Sequence, residues 1–393
     1  MTSKASITTT QLMMLAVGSS FMFPYTFMPI LNAPPANQDV WLVLLLSIVY
    51  IVIMCSPILF IANKFRGLTV NEITEVILGK FAGKLASFLF VLLFLFCYAA
   101  CLSMAAIFVK IAIIPETPTW AFIAFAVVPI SYATYKGAGT IGRLATFIVP
   151  FIMFTIIIFF LMGIPQIDLK VLQPVFADST FLDINKGALI TSSRLTEKTI
   201  FLVFSYFLIK EANINKTFIK ALLLYNFFYA LILLPTLLVL GVDLAQNAFN
   251  PYFVYTRQVH GYDFIEKVQA LNTLAWFPGL MLKLTLYNFM GCYMLSGIFK
   301  MKSHKSFVIP FSVLAAVFCL IPAINKADII LTLASDQIFP WIVFPFTFVL
   351  PLILVIVYLI RKKKLDNILQ YIKQHDLSSQ CLLLENFKND GNK

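Results

Sequence analysis

Residues 15–30 read LAVGSSFMFPYTFMPI. The stretch is apolar and belongs to a run long enough to cross a membrane. Yet it sets Gly18, Ser19 and Ser20 in its middle, with Pro24 and Pro29 behind them. Gly lowers helix stability by about 1 kcal/mol relative to Ala, and Ser competes for backbone hydrogen bonds. In hydrocarbon no water repairs a broken helix, so a break is tolerated only where the freed groups face protein or an aqueous cavity. Two readings follow. The helix is interrupted at Gly18–Ser20 around a solute site, or the small residues form a surface for close helix packing.

Composition decides the class. The 393 residues are 60% hydrophobic and 12% charged, with a mean hydropathy of +0.90. A soluble domain is about half apolar and about a quarter charged. The apolar runs are continuous rather than alternating, which excludes a β-barrel pattern. Ten runs can be laid out, at 9–30, 40–62, 85–112, 119–135, 143–164, 188–209, 218–241, 271–299, 307–324 and 338–360. Each has about 17 residues or more, as a hydrocarbon core of about 30 Å requires. All must be helices, since lipid offers a backbone amide no partner. The expected organisation is one integral membrane domain over 1–360 and a basic tail over 361–393. The first run is too long for a cleavable signal peptide and is expected to remain as a spanning helix.

With the N-terminus inside, inner loops collect the larger share of the 29 Lys and Arg, which predicts cytoplasmic N- and C-termini. The net charge of +11 reads as a topology and anionic-lipid signal. No nucleic-acid-binding motif accompanies it. The 6 cysteines, Cys55, Cys97, Cys101, Cys292, Cys319 and Cys381, form no CxxC pair and read as packing residues. In the tail, Leu365, Ile368, Leu369 and Ile372 recur at helical spacing behind four basic residues. That pattern fits an amphipathic helix on the inner leaflet or a fraying continuation of the tenth span.

The motifs for enzyme chemistry fail in context. GAGTIG (137–142) matches GxGxxG, but it lies in a loop between two spanning helices, with no βαβ unit around it. A tight helix–helix turn is the better reading. His260, His304 and His375 are far apart, and no metal-ligand spacing, GxSxG or P-loop occurs. No cofactor, metal or catalytic residue is expected.

Charges within spans carry more information. Lys283, in WFPGLMLKLTLYNF, lies about 18 Å along its helix at 1.5 Å per residue, too deep for easy snorkelling. It is expected to be buried, paired and functional. Glu197 lies in ITSSRLTEKTIFLVFSYF. It marks either the membrane lip or a break at Thr196–Glu197 after a short half-helix over 188–195. Ten spans split into two sets of five with opposite orientation, so span one corresponds to span six. The candidate breaks at Gly18–Ser20 and Thr196–Glu197 then fall in matching helices. Half-helix ends of this kind build solute and ion sites in inverted-repeat transporters. Span three, with Tyr98, Cys101 and Ser103 among small residues, would line the same site.

The chain resembles the spore germination permeases, the B-type subunits of nutrient germinant receptors in endospore-forming bacteria and a branch of the amino acid–polyamine–organocation superfamily. Four segments carry the resemblance: ITTTQLMMLAVGSSFMFP (7–24), YKGAGTIGRLATFIVPF (135–151), LKVLQPVF (169–176) and YTRQVHGYDFIEKVQALNTLAWFPGLMLKLTLYNFMGCYMLSGIF (255–299). In the last, Arg257, Asp263-Phe264, Glu266, Trp276, Gly279 and Lys283 fall on the family's pattern. The resemblance implies an all-α, five-plus-five inverted-repeat (LeuT-like) transporter fold with helices one and six broken. It implies a subunit of the inner spore membrane that senses a small nutrient such as an amino acid, sugar or nucleoside. Its partners would be an A-type membrane subunit and a C-type lipoprotein, and ion release the downstream signal. The site would draw on Gly18, Ser19, Ser20, Tyr98, Cys101, Thr196 and Glu197, with Glu197 and Lys283 as ion pair or coupling residues. This chain departs from the pattern at Thr196, where the family has Gly, at Gln269, where an acidic residue is expected, and in Gly-Ser-Ser for a two-glycine form. An amino-acid/cation symporter and a ligand-gated cation channel are the competing functional readings.

Overall fold

The apolar runs fold as helices in the order the sequence sets. A computed structural model describes residues 6–113, 115–209, 211–259, 268–321 and 338–374. Lys4, Lys210, His260, Asp263, Phe264, Glu266, Lys326, His375 and Cys381 lie outside the described residues. The helices are α1 (Thr9–Thr26), α2 (Val40–Lys64), α3 (Val70–Leu78), α4 (Lys80–Ala112), α5 (Thr119–Lys136), α6 (Ala138–Gly163), α7 (Phe181–Ser193), α8 (Thr199–Val203), α9 (Ile214–Leu240), α10 (Val242–Asn247), α11 (Pro251–Gln258), α12 (Val268–Ile298), α13 (Lys305–Leu320), α14 (Phe339–Phe344), α15 (Leu350–Ile360) and α16 (Lys362–Gln374). Among the described residues the β-structure is a single parallel bridge, Ile7 to Leu208.

Helical segments lie within each expected span among the described residues. Among the described residues, 5 helical segments are long and apolar enough to cross a membrane: Val40–Lys64, Lys80–Ile111, Ala138–Gln166, Ile214–Leu240 and Phe339–Ile360. The expected spans outside that set include the interrupted sixth and the eighth, which carries Lys283. Large apolar side chains such as Phe81, Trp120, Phe147 and Ile309 face outward, as a lipid-facing surface requires.

α1 and α12 form the centre. α1 packs against α6, α9 and α12, and α12 against α4, α5 and α6. α2 lies against α7, which belongs to the second half. Between spans two and three, α3 is fixed by a capping box in which Thr69 and Glu72 bond each other's backbone amides. Between spans seven and eight, the corresponding place in the second half, stand α10 and α11. The apolar-run criterion passes over these stretches, because they are brief and only partly apolar.

The first crossing departs from the sequence expectation. α1 runs unbroken through Gly18, Ser19 and Ser20. Both serine hydroxyls donate back to helix carbonyls: Ser19 Oγ to Leu15 O at 2.7 Å, and Ser20 Oγ to Ala16 O at 2.8 Å. The serines satisfy themselves, so nothing forces the helix open. Gly18 is there for close approach, because a Cβ at that position would collide with Val149 and press on Leu282. The regular helix stops later, at Thr26, where Met28 takes φ of +42° and the chain enters a 3-10 turn, Pro29–Asn32. The packing reading is therefore right for Gly18–Ser20.

Two smaller expectations resolve cleanly. α5 and α6 are joined through Gly137 alone, at φ of +89°, so GAGTIG opens a helix after a one-residue turn. The tail forms a separate amphipathic helix, α16, but its apolar residues Leu365 and Leu369 are buried against the protein body. Lys64 on α2 pairs with Asp366 on α16 at 2.8 Å.

Candidate functional site at the interrupted sixth crossing

The sixth crossing is broken. α7 begins with a capping box, Thr180 with Asp183, seven residues before the sequence expectation of 188. It ends at Ser193, and Leu195 leaves helical geometry with ψ of 88°. A 3-10 turn (Thr196–Lys198), the short α8 and a second 3-10 turn (Phe204–Phe207) complete the crossing. The break thus lies one residue before the expected Thr196–Glu197. Its charged residues Arg194, Glu197 and Lys198 are all buried within the protein.

A buried charge must be paired and hydrogen-bonded to persist. Glu197 meets that demand through α12. Its Oε1 lies 2.7 Å from Lys283 Nζ and accepts from the Tyr287 hydroxyl at 2.8 Å. Thr196 Oγ1 shares a short hydrogen bond with the same hydroxyl. Lys283 and Tyr287 are four apart on α12, so one helix face presents both to the break. Glu197 Oε2 has no hydrogen-bond partner among the described residues. Lys198 turns the other way. Its Nζ donates to Ser192 O at 2.6 Å, at the end of α7, and lies 3.4 Å from Met54 Sδ.

Cavities flank this centre on two sides. The larger, about 350 Å³, lies between α4 and α12 beneath the end of α1. Its wall is apolar except for a few groups: Thr26, Ser103, Trp276, Lys283 and Tyr287. Ala99, Ala100, Cys101 and Ala105 on α4 leave the room. Its roof is latched, with Trp276 Nε1 donating to Thr26 Oγ1 at 2.9 Å and Phe108 packed on Trp276 at 4.5 Å. Asn250 Nδ2 holds Thr26 O at 2.7 Å. The smaller cavity, about 40 Å³, is lined by Ser20, Glu197, Lys198 and Tyr225 among others. Lys283 borders the larger cavity and Glu197 the smaller, so the ion pair stands between them. At the opposite face the way is shut by the Ile7–Leu208 bridge, with Arg66 Nη2 donating to Ile209 O at 2.6 Å.

The sequence-predicted residues divide accordingly. Thr196, Glu197 and Lys283 are brought together in one hydrogen-bonded group. Cys101 lines the larger cavity and Ser20 the smaller. Ser19 bonds within its own helix, and Gly18 packs on Val149. Tyr98 is fully buried but stacks on Phe311, 6.5 Å away, and is absent from the cavity wall. Four residues went unforeseen as site members: Tyr287, Trp276, Thr26 and Lys198. Tyr287 had a signal, since it lies one helical turn from Lys283.

Comparisons with known proteins give the family and the fold. Residues 6–327 match the spore permease family, described as spore germination protein. YfkT of Bacillus subtilis (strain 168), a relative assigned to spore germination by name, is 25% identical over 338 residues, covering 86% of this chain and 90% of its own. The spore germination protein YndE of the same strain is 23% identical over 290 residues, or 73% of this chain and 77% of its own. Among solved structures, a Na+-coupled sialic acid symporter in a substrate-bound outward-open state is similar at a TM-score of 0.57 and 14% identity, over 85% of this chain and 77% of that one. MhsT in complex with L-phenylalanine gives 0.53 and 12%, over 89% and 97%. Mhp1, a nucleobase-cation-symport-1 transporter in a closed conformation, gives 0.53 and 14%, over 80% and 72%. At such identities these structures speak to fold alone, and they bear out the LeuT-like architecture. The interrupted sixth crossing, the cavities beside it and the family match over most of the chain lead to one conclusion: this protein is a member of the spore germination protein family, built on a membrane transporter fold.

Proposed function

We propose that the protein is a nutrient-sensing subunit of a spore germinant receptor, with the larger cavity as its ligand site. The observation that carries this reading is an apolar cavity of about 350 Å³ with one buried ion pair, Glu197–Lys283, in its wall. A wall so poor in hydrogen-bonding groups suits a solute with an apolar body better than a sugar. A carboxylate on that solute competes with Glu197 for Lys283, as an amino acid would. Exchange of partners releases Glu197 and loosens its tie between the sixth crossing and α12. A ligand shifts a two-state equilibrium only through its difference in affinity for the two states, and this exchange supplies such a difference. The termini face the cytoplasm, by the Lys and Arg asymmetry, in the inner spore membrane. An A-type membrane subunit and a C-type lipoprotein read the change, and ion release follows.

A symporter is the second reading, favoured by the ion pair standing between two cavities. One experiment separates the two. A strain lacking the gene is complemented with wild type or with the double variant E197Q/K283M, and germination is scored on single nutrients. Response to an apolar amino acid in wild type and its loss in the double variant, at equal protein abundance, supports the receptor. Accumulation of labelled solute against a gradient by vesicles holding this chain alone supports the symporter instead.

A further inference from the structure

α2 and α9 pack side by side, and the outward surface between them is hollow, with a groove of about 600 Å³. Val52, Ser56 and Phe60 follow one another at four-residue spacing along its α2 wall. Ser56 is the small one. Its hydroxyl is satisfied by Ile53 O at 2.8 Å, so it leaves room in an apolar wall without asking for a partner. Ile219 and Phe218 form the α9 wall. Phe218 also borders the smaller cavity beside Glu197, and its ring meets Phe201 of α8 edge-on at 5.3 Å. One end of the groove is polar. There Asn63 Nδ2 donates to Asn215 Oδ1 at 2.7 Å and to Leu59 O at 2.8 Å. Lys64 lines the same end, and Lys216 and Lys220 are exposed on the first turns of α9. The Lys64–Asp366 pair holds α16 beside it, and that helix opens with the exposed Lys362, Lys363 and Lys364. The acidic residues here are Glu211 and Asp366, the latter already bonded to Lys64 and Tyr358. Positive charge is therefore in excess at one end of an apolar groove. Basic pockets between spanning helices suit anionic lipid head groups. A free phosphate has no use for the apolar length, and a zwitterionic lipid none for the excess charge.

We propose that the α2–α9 groove is a binding site for one anionic phospholipid. An acyl chain lies along Val52, Ser56, Phe60 and Ile219, and the phosphate sits at the Asn63–Asn215 end among the lysines. The chain then rests against Phe218, whose other side meets α8, so the lipid braces the interrupted sixth crossing from outside. This rests on the fold and not on the identity of the nutrient.

The test is the melting temperature of the purified full chain in non-ionic detergent micelles, titrated with phosphatidylglycerol, phosphatidylcholine or free glycerol phosphate. A ligand that binds only the folded state raises Tm in a saturable way. Wild type is expected to respond to phosphatidylglycerol and to neither of the others. Two variants attack the two ends of the site independently: S56F fills the groove, and K216Q/K220Q removes charge from its mouth. Each is expected to raise the half-saturating phosphatidylglycerol fraction by about tenfold or more. L161F, elsewhere on the outward surface, should keep the wild-type titration. If one of the two variants does not fold, the other decides. Three results would each overturn the assignment: an equal response to phosphatidylcholine, a response to glycerol phosphate alone, or a wild-type titration from folded S56F or K216Q/K220Q.

Discussion

Lys283 and Glu197 illustrate how much one residue can announce. A Lys far from either end of an apolar helix is costly to leave unpaired, so its burial and its need of a partner were legible from the sequence. Removing one member of such a pair strands the other and costs about 3–5 kcal/mol. K283M and E197Q are therefore each expected to lower Tm, and the double variant to recover most of the loss, as measured by thermal unfolding in detergent. Recovery is the informative result, because it reports coupling and not mere damage. Lys198 and Arg194 were not legible. The polar start of their segment fits a membrane lip as well as a break, and the end of α7 at Ser193 decides for the break. Thr26 and Trp276 gave no signal, since neutral residues announce a hydrogen bond only once the chain is folded. His304 is a quieter case. It sits outside the spans, with Nε2 3.0 Å from Thr134 O and its ring against Phe289 at 5.2 Å. Burial, aided by the charge of Lys305 and opposed by the Thr134 carbonyl, holds its imidazole below the ordinary 6.5. As pH falls, the unfolded chain takes up the proton first, so stability is expected to decline from about pH 6.5 downward. H304Q should flatten that slope in a Tm–pH series.

Elements were legible where hydrophobic length alone decides, and less so where packing does. All ten crossings follow from apolar runs that lipid compels to be helical. The break in the sixth was legible to within one residue, from the correspondence of span six with span one and the polar start of its segment. The break in the first was misplaced. Gly-Ser-Ser weakens a helix in isolation, but the serines bonded their own helix and the glycine served contact with α6 and α12. Propensity is a weak prior that tertiary contacts override. The small helices α3, α10 and α11 were missed because the apolar-run criterion does not see them. α3 gives a test at this scale. Its capping box depends on the Thr69 hydroxyl, so T69A is expected to cost about 0.5–2 kcal/mol, read as a fall in Tm, and T69S to restore most of it.

At the scale of the molecule, a cavity between α4 and α12 is latched by Thr26, Trp276 and Asn250, and the start of the chain is tied to the end of the sixth crossing by Ile7 and Leu208, beside Arg66. The segment of α1 meets both the latch and the tie, through Thr26 and Ile7, while the sixth crossing meets the tie through Leu208 and α12 through Glu197. The sequence could place the charged residues on their helices. It could not place the cavity, which exists because alanines and a cysteine on α4 face α12, and that facing is a product of packing. The most direct measurement is a dose–response curve for germination in spores carrying A100F, which fills the cavity from α4, beside a control, L161F, on the outward surface. If the solute binds there, A100F raises the half-maximal nutrient concentration by about tenfold or more, the equivalent of about 1.4 kcal/mol, while L161F leaves it unchanged. A wild-type curve from A100F spores with normal protein abundance would contradict the site.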